Sequence, residues 1–451
     1  MWCVRVSLLL LIIMLLAGCT TYTPLPLPVR PDLASNAAAL SVPVTAFDTP
    51  GIHVTRINLA QPLDASAVAA LAVLNNPALI ATRAQHGVVA AQSYAAGLLP
   101  WPQIMLGASR PSPASVGLHN GWSLALGEDF AALLQHADAE AAAHADETRV
   151  RLDMVWDEWQ VAQQARLLYA AIEDDAAQLK ALHPLLDLYA ERARSGRTAA
   201  IAGTLPRAAV TAAEAAYSVL LAHADSLQTQ REKNLAALTG LLGLAPHTTL
   251  RLALNDHPNA VDTAALRVAL AALPNRRPDL MAFAAGYRSA DARLRQAVLA
   301  QFPLIGVSLN RKRDTEGVMS NGLSLTLNLP FLNGTRGQIA VARATRRALH
   351  AAYQARLDSA VIEVSALGDE VQRLSASLAR VQRAAQVLSS FNNAVPGTVP
   401  FDALEAYATQ RMQMADAIAK LRHALDETSI ALETLLGMPI GSGHNLQATS
   451  T

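Results

Sequence analysis

The chain repeats itself, and that constrains its fold more than any local pattern does. Pro77-Ala78-Leu79 returns as Pro278-Asp279-Leu280, 201 residues later. Asn120-Gly121-Trp122-Ser123-Leu124 returns as Asn321-Gly322-Leu323-Ser324-Leu325 at the same offset, and so does Gly196 as Gly397. Leu241-Leu242-Gly243 returns as Leu435-Leu436-Gly437 after 194 residues. Landmarks in one order at nearly one spacing define two tandem structural units. They are residues 63–245 and 263–440, joined by a linker, 246–262, with 441–451 left as a tail. Each unit carries the same series. A helix (64–98; 263–301) leads to a strand pair (101–110 with 118–126; 304–312 with 322–329). A long helix (130–194; 336–393) follows, then a break at Gly196 or Pro396-Gly397, then a last helix ending near Leu242 or Leu436. Pro and Gly mark the stops.

The long helices carry a seam. In the second unit it reads Tyr353, Leu357, Val361, Val364, Leu367, Val371, Leu374, Leu378, Val381, Ala385, Leu388 and Phe391. In the first it runs from Leu152 through Trp159, Tyr169, Ile172 and Leu182 to Tyr189. A repeat near 3.5 is that of a left-handed coiled coil, and 60 helical residues reach about 90 Å. The Glu173-Asp174-Asp175 run reads as a solvated helix face.

Charge is distributed unevenly. The 451 residues hold 36 basic and 36 acidic side chains, for a net charge of zero, and only 16% are charged. A neutral chain lacks the basic excess of a nucleic-acid binder, and 52% hydrophobic residues argue against disorder. Between Arg83 and Glu128 the one charged residue is Arg110, and 296–310 and 317–335 have none. Between those two stretches lies Arg311-Lys312-Arg313-Asp314-Thr315-Glu316. Two uncharged strands with a charged tip fit a hairpin that crosses a bilayer. Leu323, Leu325, Leu327 and Leu329 alternate with Ser324, Thr326 and Asn328, which is the apolar-out, polar-in period of an outer-membrane barrel. Trp101, Trp122, Phe302 and Phe331 stand near strand ends, where interfacial aromatics belong. A lipid-exposed sheet must close, and four strands are too few. Several copies must therefore share one barrel; three would supply twelve strands.

The N-terminus has Arg5, an apolar run from Val6 to Ala17, and Leu16-Ala17-Gly18-Cys19. This is a secretory signal over 1–18, and the tetrad resembles the bacterial lipobox. The resemblance implies cleavage before Cys19, lipidation of Cys19, and sorting to the outer membrane, since Thr20 follows. The only other cysteine, Cys3, leaves with the signal. Residues 19–62, with seven prolines from Pro24 to Pro62, read as an extended tether or wrapping segment.

The core motifs resemble those of the TolC-like outer-membrane factor family, especially its lipidated efflux members. They are Arg277-Pro278-Asp279-Leu280, then Phe302-Pro303, the Ser/Leu strand, Leu329-Pro330-Phe331, Asn333-Gly334 and Arg336-Gly337. Gly397-Thr398 with Leu404-Glu405-Ala406 resembles the family's periplasmic turn and following helix. The resemblance implies a mainly α fold with a small β part. Four strands per chain would contribute to a shared 12-stranded trimeric barrel above a coiled-coil α-barrel. It also implies a homotrimer that works with a periplasmic adaptor and an inner-membrane transporter, driven by protons. The expected role is a passive outer-membrane exit duct for small molecules. Type I protein secretion and a non-channel coiled-coil envelope scaffold are the alternatives.

Asp402 and Glu405, three residues apart, fit one helical face; in a trimer they would form acidic rings that gate the pore. Family resemblance points most directly to Glu405, although Pro400 and a shorter turn depart from the pattern. Gly196, Arg197, Gly397 and Thr398 are the candidate adaptor-contacting tips, with Arg194 beside them. His136, Glu140 and His144 share a helical stripe but lack a third strong ligand nearby, so no metal or other cofactor is expected. The sequence carries no Gly-rich phosphate loop, GxSxG or HExxH, and the chain is read as a non-enzyme.

Overall fold

In the computed structural model, the described residues are 22–42, 47–49, 52–54, 57–111, 117–253, 263–302, 304–328, 335–394 and 401–437. After a small hairpin, β1 (Phe47–Thr49) and β2 (Ile52–Val54), come α1 (Ala65–Asn75), α2 (Pro77–Gly97), β3 (Gln103–Ser109), β4 (Gly121–Asp129), α3 (Phe130–Ile201) and α4 (Arg207–Leu241). The second repeat runs α5 (Thr263–Arg276), α6 (Pro278–Leu299), β5 (Leu304–Arg313), β6 (Met319–Asn328), α7 (Thr335–Ala394) and α8 (Phe401–Leu436). The fold is mainly α, in two tandem repeats, with one four-stranded antiparallel meander in the order β3-β4-β5-β6. Its 72-residue α3 is about 108 Å long.

The opening helix of each repeat is two helices rather than the single one expected. Asn76 and Arg277 leave the helical region, with ψ of 122° and 116°. Each precedes a proline, which disfavours α geometry at the residue before it and opens the next helix well. Asp64 caps α1 by accepting from Ala67 N at 2.7 Å, and Asn76 caps α2 by accepting from Leu79 N at 3.1 Å.

Each repeat has its own core where the short helices meet the long one. In the first, Val68, Leu71 and Ala72 of α1 pack with Tyr169 and Ile172 of α3 and with Leu238 and Leu242 at the end of α4. In the second, Leu273 and Leu280 pack with Ala360, Val364 and Val371 of α7 and with Leu432 and Leu436 of α8. The seam of α7 differs from expectation at one position. Val361 is 40% exposed, and Ala360 is buried in its place. With Ala360, the seam from Tyr353 to Leu388 steps alternately by four and three residues, a strict heptad.

Two further expectations are corrected. The first long helix does not break at Gly196; α3 continues to Ile201, and the chain reverses at 202–206. Gly203 there has φ +76°, and Pro206 precedes α4. One glycine weakens a helix by only about 1 kcal/mol. Gly196 faces Leu205 and Val210, and a Cβ there would stand at an ordinary contact distance of 3.8 Å from both. The acidic run is not a solvated face: Glu173, Asp174 and Asp175 are all buried. His423 of α8 covers Asp174 at 2.8 Å, and Asn234 of α4 donates to Asp175 at 3.1 Å.

The proline-rich segment wraps onto the first repeat. Ala34 N donates to Gly243 O at 3.0 Å, and Ala245 N donates back to Ala34 O at 2.9 Å. Ser41 exchanges backbone bonds with the Asn75 side chain, Leu40 is buried, and Leu63 pairs with Leu252. Cys19 and the signal lie outside the described residues.

Candidate functional site

Residues paired across strands share a face, so register sorts the sheet. One row reads Ile104–Leu126–Leu309–Leu323, and the next, toward the tips, reads Leu106–Leu124–Arg311–Asn321. Val307–Leu325 and Ile305–Leu327 extend the same face toward the helices, where Glu128 joins the row of Val307. The opposite face reads Gln103–Gly127–Ser308–Ser324 and Met105–Ala125–Asn310–Gly322, with Ser123, Lys312, Ser320 and Thr326 alongside. The first face is apolar yet uncovered: Leu106 is 80% exposed, Leu323 69% and Leu309 61%. The second is small, polar and crowded. A Cβ on Gly107 would lie 2.4 Å from Ser123 Oγ, and one on Gly322 would lie 2.6 Å from Asn310 Oδ1. Asn310 Nδ2 donates to Ser324 Oγ at 2.8 Å.

All four strands leave the helices at one end and turn at the other. The β5–β6 turn is built on Asp314, whose Oδ1 accepts from Glu316 N at 3.0 Å and Val318 N at 2.9 Å. Gly317 supplies a φ of +88°. His119 N donates to Thr315 O at 2.7 Å and joins the two tips. β3 and β6 are the sheet's edges. Unpaired edges and a naked apolar face are costly in water and impossible in lipid unless the sheet closes with other copies. Among the described residues no single helix is long and apolar enough to cross a membrane. The bent pair α1–α2 passes by composition, but Val68–Val73 of α1 are buried core.

The other described candidate residues lie on the long helices. Asp402 and Glu405 are in the first turn of α8, three residues apart; their side chains lie outside the described residues. Gly397 and Thr398 are also outside them. Gly196 and Arg197 lie in the last two turns of α3, short of the reversal. Arg197 pairs with Glu214 of α4, and Arg194 with Glu191 at 2.6 Å. His136 and His144 flank Glu140 at 4.0 and 3.6 Å, and His144 Nδ1 shares a 3.0 Å bond with Ser93 Oγ. The stripe thus bonds to α2. A hydrogen bond from Ser93 leads the causes that hold Glu147 below the usual carboxylate range.

Two clusters escaped sequence reasoning. Arg277 is fully buried. Its Nε and Nη2 donate to Asp279 at 2.7 and 3.0 Å, and its guanidinium lies 4.8 Å from the Trp156 ring centre. Arg356 of α7 donates to the same carboxylate at 2.9 Å. Asp279 was legible as a motif residue, but nothing in the sequence said that the charge is buried. In the second cluster, bonding to Asp174 raises the His423 pKa, and burial raises that of Asp175.

No family model and no curated protein matches the chain. Solved structures do. VceC, an outer membrane protein of Vibrio cholerae, superposes with a TM-score of 0.67 at 17% identity, covering 83% of this chain and 96% of that one. The CmeC outer membrane channel of Campylobacter jejuni gives 0.63 at 15%, covering 95% and 96%. The open state of the MtrE outer membrane channel of Neisseria gonorrhoeae gives 0.64 at 16%, covering 88% and 98%. The fold is therefore that of the TolC-like outer-membrane channels, as the motifs implied.

Proposed function

We propose that this chain is the exit duct of a tripartite efflux system. It would conduct small molecules passively across the outer membrane from a periplasmic adaptor and an inner-membrane pump. The observation that carries this reading is the sheet's register: one face with an exposed apolar band, charged only at its two rims, backed by a small polar face. That is the wall of a barrel with lipid outside and water inside. Four strands cannot close such a wall, so three copies joining β6 to β3 of the next give twelve. The helices leaving the sheet then continue the conduit into the periplasm. Cys19 carries lipid and holds the complex to the inner leaflet of the outer membrane, and the wrapped segment 22–42 links that anchor to the helices.

Asp402 and Glu405 are assigned to the gate. Gly397, Thr398, Gly196 and Arg197 are assigned to the adaptor contact. In the first repeat the outermost surface is the reversal at Gly203, so the contact there includes 202–206 as well. Substrate choice resides in the pump.

The test is conductance. Purified full-length protein in a planar bilayer should give discrete ion-conducting steps, and Glu405→Ala should raise their size. Well-folded oligomers that conduct nothing would overturn the duct reading. Unchanged conductance in Glu405→Ala would remove the gate assignment alone.

A further inference from the structure

The tip of the second hairpin carries charge that the duct does not need. β5 ends in Arg311-Lys312-Arg313, and register separates these three residues. Arg311 shares a row with Leu106 and Leu124, and Arg313 shares one with Trp122 and Met319, so both arginines lie on the exposed apolar face. Lys312 pairs with Ser123 and Ser320 on the polar face. Two arginines two residues apart on one side of a strand are about 7 Å apart along it. They stand at the far rim of the apolar band, next to Trp122, which is 40% exposed. Among the described residues, neither arginine has a carboxylate in ion-pair range. Asp314, the nearest acid in sequence, has one oxygen committed to the turn's backbone N–H groups. Arg110, at the end of β3, adds a further cation at the same rim.

Guanidinium groups on the lipid side of a barrel do not face water or the pore. They face the headgroup layer of the leaflet farthest from the helices. A snorkelling arginine there meets its complement in phosphate, which it binds with a planar pair of N–H donors. We propose that Arg311 and Arg313 form a binding site for the phosphates of outer-leaflet lipopolysaccharide, that is, for the lipid A headgroup, repeated once per subunit around the barrel. The site rests on the duct reading, because it exists only if the sheet lies in that membrane. It goes beyond that reading by assigning a lipid class to a specific pair of side chains. Charge complementarity and the apolar rows beneath the pair argue for a phosphorylated amphiphile over a soluble anion.

The experiment uses full-length protein in nanodiscs of phosphatidylcholine. Diphosphorylated lipid A, its dephosphorylated form and inorganic phosphate are each titrated, and bound copies are counted by native mass spectrometry. Phosphorylated lipid A should bind in preference to the other two. Arg311→Gln with Arg313→Gln should weaken it roughly tenfold or more, from the loss of charge-assisted bonds. Lys312→Gln should leave it unchanged, and Arg311→Lys with Arg313→Lys should fall between wild type and the double Gln variant, since it keeps the charge and loses the planar donor pair. The proposal is overturned if the double Gln variant binds as wild type, if Lys312→Gln is equally damaging, or if the dephosphorylated lipid competes equally. Inorganic phosphate binding as tightly as lipid A would overturn the lipid assignment. Protein that fails to enter the discs would overturn the duct reading and this site with it; entry with unselective binding overturns this site alone.

Discussion

At Asn76 and at Arg277, 201 residues apart, the chain bends before a proline, and the last helix of that repeat ends against the bend. The backbone solution is the same in both. Gly243 and Gly437 each close their helix with φ +67°, and each sits on its bend. A Cβ on Gly243 would meet Asn75 O, and one on Gly437 would meet Arg277 Cα. The side-chain solutions differ. Asn76 is neutral; it caps α2 and donates Nδ2 to Leu241 O at 3.0 Å. Arg277 is a buried charge that is tied through Asp279 to Arg356 within its own repeat and reaches past that repeat over the ring of Trp156 in α3. The bend and its glycine belong to the fold, whereas the residue at the bend is free to specialise. The second repeat has used that freedom to tie itself to the first. Its Thr434 O accepts the indole N–H of Trp159 at 3.0 Å in the same region.

The sharpest way to break this comparison is to remove the charge. Arg277→Ala leaves Asp279 buried with Arg356 as its remaining cation. Breaking a buried pair from one side costs about 3–5 kcal/mol. Asn76→Ala loses one cap and one buried amide bond, about 1–2 kcal/mol. Unfolding in denaturant, followed by helical circular dichroism, should rank Arg277→Ala well below Asn76→Ala. Equal losses would mean that the buried charge does no more than the amide.

The glycines give the next effect. Alanine at φ +67° costs roughly 1–2 kcal/mol in either repeat. At Gly243 the new Cβ also lies 2.7 Å from the Asn75 carbonyl oxygen, which is backbone, whereas at Gly437 the nearest atom is Pro278 Cδ at 3.4 Å. Gly243→Ala should therefore lower the thermal midpoint more than Gly437→Ala. The reverse order would show that the first bend yields more easily than its packing suggests.

These contrasts also explain what the sequence could and could not disclose. The repeat, the hairpins and their alternation are legible because period two and charge depletion are local. The seam slips at Val361 because Ala360 is small enough to count as neutral in an Ala-rich pattern, yet it fits under α5 and α6. The bends at Asn76 and Arg277 were readable from the residue-before-proline rule and were hidden by the continuous apolar pattern around them. Gly196 looks like a stop, yet a single glycine costs a helix only about 1 kcal/mol, and the chain reverses instead at Gly203 and Pro206. The burial of Glu173, Asp174 and Asp175 is beyond any local pattern, since α4 and α8 arrive from 59 and 249 residues away.

The last and smallest effect probes an asymmetry that register alone implies. Asp174 and His423 join α3 to α8, but at the repeat offsets of 201 and 194 their counterparts are Ser375 and Thr229. The latch therefore exists once, between repeats. His423 faces Asp174 first, then Glu427 and Asp175, with burial opposing, and its pKa is raised. A histidine raised on folding stabilises fully below its unfolded pKa of about 6.5, and that contribution is lost as pH rises through the higher folded value. Its side chain is 44% exposed, so solvent screening holds the gain to less than about 1 kcal/mol. His423→Gln should therefore lower the melting midpoint at pH 6 and have a smaller effect at pH 9. Asp175 is raised by burial and lowered by His423, so the pH dependence of the difference reports the joint titration of His423 with this buried group. A deficit that stays constant across that range would assign His423 to packing on α3 and leave Arg166–Glu433, which also joins α3 to α8, as the ion pair by which this end of the second repeat recognises the first.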